Sequence, residues 1–349
     1  MKQMKKNFYF ILLEVGVVKT EEKNSIDLFN LLYKYGTIFV ILATILFFSI
    51  FLDNFMKFSN IINIFRSVSI VGLISLAITM SLTVDGLDLS AAAIAGFSAV
   101  IAAKFMVIWE LGTVPAIIVP ILVGVIVGGV NAFFIIRMNI SDLLATLSMM
   151  FLLTGISVTF QSGTAIYNYM PLPNNQGMAP GVLTDAYLFL GKGTIFRIPV
   201  PVIIMLIVAL FVFVFLNHTK YGRFFYMIGS NQEAAKLSGI PVKKYKTMAY
   251  MMSGFIAAVA GLVLGARMGS GEVSAGDPYL MDSVAAAFIG FSVFGIGRPN
   301  ALGTILGALL MGTLLNGLVM MNFPYYSQDI VKGIVLILAL SLTYYKKKN

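Results

Sequence analysis

The sequence predicts an all-α, polytopic membrane protein, and three observations support this fold class. Apolar runs of 18 or more residues recur along the 349-residue chain, and a run of that length can span a bilayer as a helix. Hydrophobic residues make up 59% of the chain and charged residues only 11%, where a soluble domain carries about 25%. The 32 glycines suit helices that pack through small residues. A membrane β-barrel would instead show alternating segments of about 10 residues.

The hydropathy pattern places about ten spans in order along the chain. They cover 35–52, 61–83, 89–108, 114–136, 142–161, 199–217, 247–266, 281–297, 301–320 and 328–345. The eighth is short and broken by Gly290, Gly295 and Gly297, which suits a segment that enters the bilayer and returns. Three regions follow: a partly amphipathic arm 1–34, a transmembrane domain 35–345 and a basic tail 346–349.

The basic residues predict the orientation of these spans. With ten spans both termini lie on one side, and that side holds seventeen of the 24 lysines and arginines. Basic residues collect on the cytoplasmic face of membrane proteins, so both termini and the connection 218–246 are predicted to be cytoplasmic. The net charge of +9 is thus explained by the orientation of the chain in the membrane and does not indicate a nucleic-acid partner. The long connection 162–198 is then external, either as a partly ordered docking surface or as a simple link.

The composition argues against a catalytic or metal-binding site in this chain. It has no cysteine and one histidine, His218, so thiol chemistry, disulfides and a histidine metal site are not expected. The ionisable residues near span ends should reach the membrane interface, and none is a strong mid-membrane candidate for ion coupling. The sequence also lacks a phosphate-binding glycine loop ending in Gly-Lys-Ser/Thr. We therefore expect no catalytic residue, metal or cofactor, and any energy source on another polypeptide.

A polar cassette, Ser230–Pro241, interrupts the apolar sequence on the cytoplasmic side. Ser230 and Glu233 have the spacing of a capping box, which predicts a helix start. Gly239 suits a left-handed helix end, and Pro241 stops further helix. So short a helix is marginal alone, which favours docking against a partner. Asn231 belongs to the cassette, and its predicted apolar face is Ala234, Ala235 and Leu237; the plain alternative is a solvated loop helix.

A second polar break, Asp85-Gly86-Leu87-Asp88-Leu89-Ser90, separates the second and third spans. Asp88 or Ser90 could simply cap the third span. The alternative is a broken helix beside a polar path through the membrane. Asn131 and Asn316 have the same two interpretations, packing between helices or lining the path, whereas the glycines around Asn316 are expected to pack.

Two segments of the chain have similar sequences, which suggests an internal repeat. The segment Ala91–Ser98 in the third span matches Ala285–Ser292 in the eighth. These spans run in opposite directions in the predicted topology, so the match indicates an inverted repeat, the alternative being chance similarity of small-residue helices.

These motifs together resemble the inner-membrane permease subunits of binding-protein-dependent sugar ABC importers, the ribose/xylose/galactose group. The resemblance covers roughly 36–344. Residues 85–90 resemble the family's acidic element, Tyr221–Ile240 its cytoplasmic coupling loop, and Gly303–Leu310 with Asn316–Leu318 its late glycine-rich helix. The chain departs at Ala91-Ala92-Ala93, where the family has Val-Gly-Ser, and in the connection 291–300.

The resemblance implies a bacterial inner-membrane permease that carries a monosaccharide. Its partners would be a second permease subunit, two cytoplasmic ATPase subunits and an external sugar-binding protein. The coupling residues would be Ser230, Asn231, Glu233, Ala234, Ala235, Leu237 and Gly239, and the substrate path would include Asp85, Asp88, Ser90, Asn131 and Asn316. Two alternatives stay open: a permease of the related branched-chain amino-acid importers, and an ion-coupled carrier. A membrane enzyme is a distant third.

Overall fold

The computed structural model describes residues 28–172, 177–291, 293 and 297–344, and helices dominate these ranges. In chain order the helices are α1 (Leu28–Phe51), α2 (Phe58–Leu82), α3 (Ala91–Val107), α4 (Thr113–Arg137), α5 (Asp142–Gln161), α6 (Asp185–Lys192), α7 (Val200–His218), α8 (Lys220–Ser230), α9 (Gln232–Leu237), α10 (Val242–Met268), α11 (Asp277–Ile289), α12 (Ala301–Met320) and α13 (Tyr325–Tyr344). Four two-residue strands accompany them: β1 (Ile166–Tyr167), β2 (Thr194–Ile195), β3 (Ile198–Pro199) and β4 (Ser270–Gly271).

Six of the described helices, α2, α4, α5, α7, α10 and α12, are long and apolar enough to cross a membrane. The segment Tyr35–Phe51 of α1 and the whole of α3 are shorter apolar helices. Each predicted span coincides with a helix, but the number ten stays a prediction. The part of the predicted arm up to residue 27 lies outside the described residues. So do the tail 346–349 and four positions of the eighth span, 292 and 294–296.

The eighth span is indeed short. Helix α11 has 13 residues and is about 20 Å long, well below the ~30 Å of a bilayer core. It ends where Gly290 meets α12: a Cβ built on Gly303 would lie 2.1 Å from the Gly290 carbonyl oxygen. The two backbones can approach this closely only because neither residue carries a side chain.

Helices α2, α3 and α10 form the centre of the molecule, while α4 and α5 are largely exposed. Glycines set the distances between neighbouring helices. A Cβ on Gly124 of α4 would lie 2.4 Å from the Gly254 carbonyl oxygen of α10, and one on Gly261 would lie 2.0 Å from that of Ala95 in α3. In α12, Gly307 meets the Ala286 backbone in the same way. The prediction that the α12 glycines serve packing is confirmed.

The connection 162–198 is partly ordered. Strand β1 pairs antiparallel with β4, α6 follows, and β2 and β3 form a hairpin. Phe196 and Arg197 at its tip both have positive φ, 48° and 67°, which suits the two-residue turn between twisted strands. Phe196 is 96% exposed, and residues 173–176 lie outside the described part of this connection.

Candidate functional site

The polar cassette is part of a longer unit, here called the coupling segment, which comprises α8 and α9. Helix α8 begins where the Thr219 hydroxyl accepts a hydrogen bond from the Gly222 N–H, at 3.1 Å. Phe225 and Ile228 face inward and are buried in the main core. Sequence reasoning missed α8, although the spacing of Tyr221, Phe225 and Ile228 is that of an amphipathic helix and could have indicated it.

The start of α9 differs from the prediction by one residue. Asn231, not Ser230, caps the helix: its Oδ1 accepts a hydrogen bond from the Ala234 N–H at 2.9 Å. Ser230 is the last residue of α8, so its backbone is still helical and cannot act as the cap. Glu233 instead pairs with Lys236 at 2.7 Å, and both side chains are exposed. The predicted capping box between Ser230 and Glu233 is therefore wrong.

The end of α9 is as predicted. Gly239 has φ +77°, its N–H donates to the Lys236 carbonyl oxygen, and the Ile240 N–H donates to that of Ala235. These two bonds are the signature of a left-handed helix end. Ala235 is only 1% exposed and packs in the core with Ile240, so placing it on an outward docking face is wrong. Ala234 remains exposed and Leu237 is 90% exposed.

The coupling segment touches two other connections. A Cβ on Gly229 would lie 2.3 Å from the Thr83 carbonyl oxygen and 3.3 Å from the Asp85 nitrogen, so α8 rests directly on the loop between α2 and α3. The Tyr226 hydroxyl donates to the Pro299 carbonyl oxygen at 2.8 Å, and the Arg298 guanidinium lies 4.2 Å from the Tyr226 ring centroid. Burial raises the pKa of Tyr226, which keeps the hydroxyl a neutral donor.

Three of the predicted path residues meet in one group, the buried polar cluster of Asp88, Ser90, Asn131 and Ser253. One carboxylate oxygen of Asp88 accepts from the Ser90 N–H at 3.0 Å and from its hydroxyl at 2.6 Å. The other accepts from the Ser253 hydroxyl at 2.7 Å, and the Asn131 amide donates to the Ser90 hydroxyl at 2.8 Å. The cluster ties α3 and its leading loop to α4 and α10.

This cluster is enclosed. Asp88, Ser90 and Asn131 are 0% exposed, and the Asn131 Oδ1 has no hydrogen-bond partner among the described residues. The predicted side-chain cap does not form, because Asp88 binds the N–H of Ser90, the residue before α3, and the Ser90 side chain does not cap. Ser253 was missed. It lies 165 residues from Asp88, and only the packing of α10 on α3 brings it near.

The other two predicted path residues lie elsewhere. Asp85 is exposed at the edge of the loop, with φ 57°. Asn316 of α12 and Asn60 of α2 form a reciprocal pair of amide hydrogen bonds, each 3.1 Å. The pairing joins two helices, which favours the packing interpretation for Asn316.

Comparison with known proteins assigns the family. Residues 60–340 match the model of the branched-chain amino acid transport system / permease component family. The chain belongs to this family of transport permeases. It is 33% identical to the ribose import permease protein of Bacillus subtilis over 325 residues, covering 93% of this chain and 97% of the relative. It is 31% identical to the galactose/methyl galactoside import permease protein of Escherichia coli over 330 residues, covering 90% and 96%.

The D-allose transport system permease protein of Escherichia coli is also 31% identical, over 310 residues, covering 88% of this permease and 91% of the relative. No solved structure matches. The matched ranges are long enough to include both the coupling segment and the buried polar cluster. The resemblance to sugar permeases of ABC importers is thus confirmed.

Proposed function

We propose that this permease forms the membrane path for a monosaccharide in an ATP-driven importer. The carrying observation is the arrangement of the coupling segment: α9 is capped at both ends, presents the 90% exposed Leu237, and is joined to α8, which rests on the loop leading into α3. Such a helix can receive a movement and pass it inward. The names of the relatives, which refer to ribose, galactose and allose, support a sugar as the cargo.

The coupling mechanism follows from these contacts. The exposed side of α9 docks in a groove of a cytoplasmic ATPase subunit, while Ala235 and Ile240 hold the helix to its own chain. A push on α9 moves α8, and Gly229 transmits it to Thr83 and Asp85 because their backbones are in contact. The loop carries Asp88, whose hydrogen bonds to Ser90 and Ser253 make α3 and α10 move together. No bond of the cargo is broken; access alternates between the two sides.

The assembly we propose has two permease subunits, two ATPase subunits and an external binding protein. The permease lies in the bacterial inner membrane with about ten spans and both termini in the cytoplasm. The path runs between the two permeases, and the repeated segments 91–98 and 285–292 belong to its inverted halves. In the state described here Asp88, Ser90 and Asn131 are enclosed; in another state, a shift of α10 from α3 would open their polar groups to the path.

Two other functions have a supporting observation. The family description names branched-chain amino acids, but the relatives compared above are named for sugars. An ion-coupled carrier would need a committed ionisable group, and Asp282 of α11 is a buried carboxylate. Its oxygen lies 3.0 Å from the Lys332 ammonium of α13, however, so its charge is already compensated and the pair fastens two helices. We therefore favour ATP-driven sugar import.

The test is uptake in vesicles. The permease is reconstituted with its ATPase and binding protein, and accumulation of labelled ribose, galactose, allose and leucine is measured with and without internal ATP. We expect ATP-dependent accumulation of one sugar and none of leucine. Uptake by the permease alone, driven by a proton or sodium gradient, would reject the proposal, as would ATP-driven uptake of leucine only.

A further inference from the structure

An open groove runs along the outside of the molecule between α4 and α10. Its volume is about 530 Å³. Val125 of α4 lines one wall, and the other is a stripe of α10 that begins at Lys244 and ends at Phe255. Met248 and Met251 lie between these two residues, and the four follow one another at spacings of four, three and four residues. They therefore lie on a single face of α10. Methionine side chains are flexible and adapt to irregular apolar ligands.

The length of the groove matches one leaflet of a bilayer. The eleven residue steps from Lys244 to Phe255 correspond to about 16 Å along the helix. Half of a bilayer core is about 15 Å thick. The polar end of the groove, at Lys244, lies next to α9, and its apolar end lies half-way along α10, at Phe255. The groove therefore has the polarity and the depth of a lipid that stands in the leaflet on the α9 side.

Uncompensated positive charge surrounds the polar end. Lys243, Lys244 and Lys246 lie in the first turns of α10, and its first turn holds no acidic residue. None of these three ammonium groups has an ion pair with a described residue. The N-terminus of a helix is itself the positive end of its dipole, so it adds to their potential. An anion placed here would be favoured by both.

A second groove provides a comparison within the same molecule. It has a volume of about 640 Å³ and is lined by Lys104 of α3 and by apolar residues of α5, including Phe160. The Lys104 ammonium already donates to the Phe160 carbonyl oxygen and lies 3.8 Å from the centroid of the Phe160 ring. Its charge is satisfied within the protein. The two grooves are thus similar in volume but differ in free charge.

We propose that the α4–α10 groove is a binding site for an anionic phospholipid. One acyl chain lies along Met248, Met251 and Phe255, and the headgroup phosphate binds the Lys244 ammonium within the field of Lys243 and Lys246. Clusters of lysine at the cytoplasmic end of membrane helices attract anionic headgroups in this way. The site adds a lipid dependence to the permease and does not depend on which cargo it carries.

The test compares lipid retention by the full-length permease in native mass spectrometry. The protein is equilibrated with equal amounts of phosphatidylglycerol and phosphatidylcholine, and the Lys244→Gln variant is compared with Lys104→Gln as the matched control. We expect wild type to retain phosphatidylglycerol preferentially and Lys104→Gln to behave as wild type. Lys244→Gln should retain phosphatidylglycerol about fivefold less tightly, which is the factor expected for one lysine near an anionic headgroup. Equal retention of the two lipids, or equal effects of the two substitutions, would overturn the proposal.

A second measurement excludes the other occupant, a second copy of the chain. The sequence has no cysteine, so Met251→Cys introduces a single thiol in the groove. We expect no disulfide-linked permease pair when membranes are oxidised. Efficient disulfide formation between two copies would assign the groove to the permease pair and overturn the lipid site.

Discussion

Replacing Gly229 by alanine tests whether α8 transmits movement to the core. The added Cβ would lie 2.3 Å from the Thr83 carbonyl oxygen, where an ordinary contact needs about 3.4 Å, so α8 and the loop must separate by about 1 Å. Overpacking of this kind costs ~1–3 kcal/mol, and the better helix propensity of alanine returns only about 0.5–1 kcal/mol. We expect a lower unfolding temperature and a looser connection between the coupling segment and the buried polar cluster.

The assay measures sugar uptake, ATP hydrolysis and ATPase copurification in the same vesicles. Gly229→Ala should retain the ATPase, because α9 is unchanged, but should transport less sugar for each ATP hydrolysed. The matched control is Gly155→Ala in α5, where a Cβ meets nothing within 4 Å, so stability and uptake should be unchanged or slightly improved. Wild-type uptake per ATP and an unchanged unfolding temperature in Gly229→Ala would refute the transmission route.

Three further pairs of substitutions test the local structure. Asn231→Ala should weaken α9 by about 1 kcal/mol and speed hydrogen exchange at residues 234–237, whereas Ser230→Ala should do neither. A larger effect of Ser230→Ala than of Asn231→Ala would restore the capping box. Asp88→Asn should lower both uptake and unfolding temperature, because three hydrogen bonds to the Asp88 carboxylate are disturbed. The control Asp85→Asn, at the exposed loop, should leave stability unchanged. Full uptake by Asp88→Asn would remove Asp88 from the mechanism. Asn316→Leu should destabilise the protein by about 1 kcal/mol, because the Asn60 Oδ1 loses its donor while the Asn60 Nδ2 keeps its bond to the Phe55 carbonyl oxygen. Asn60→Leu in the same chain should recover part of that loss. No change in unfolding temperature would deny the pair a packing role.

Features that depend on neighbouring residues were predictable from the sequence. The long apolar runs gave helices at every predicted span, and Gly239 before Ile240-Pro241 gave the left-handed end of α9. Both follow from local backbone and hydropathy rules. The cap was misplaced by one residue because Ser230 and Asn231 are both good capping residues. Which one caps depends on where α8 stops, and that is set by the burial of Phe225 and Ile228.

Features that depend on helix packing were not predictable. Asp88, Asn131 and Asn316 are all polar residues in apolar surroundings, and nothing in their local sequence separates the first two from the third. The close approach of α3 to α10 at Gly261 brings Asp88 to Ser253, while the approach of α12 to α2 brings Asn316 to Asn60. Ala235 and Leu237 are likewise both apolar residues of one short helix, and only the docking of α9 on the core decides which side faces out.

Photo-crosslinking from position 237 tests the central claim most directly. A benzophenone amino acid is placed at Leu237, which is 90% exposed on α9, and separately at Phe151, an exposed residue of the apolar helix α5. The complete importer is irradiated in membranes with and without ATP. The coupling account predicts a crosslink from position 237 to the ATPase subunit, with a yield that changes on ATP binding, and none from position 151. Full ATP-driven uptake with no ATPase crosslink at position 237 would contradict it.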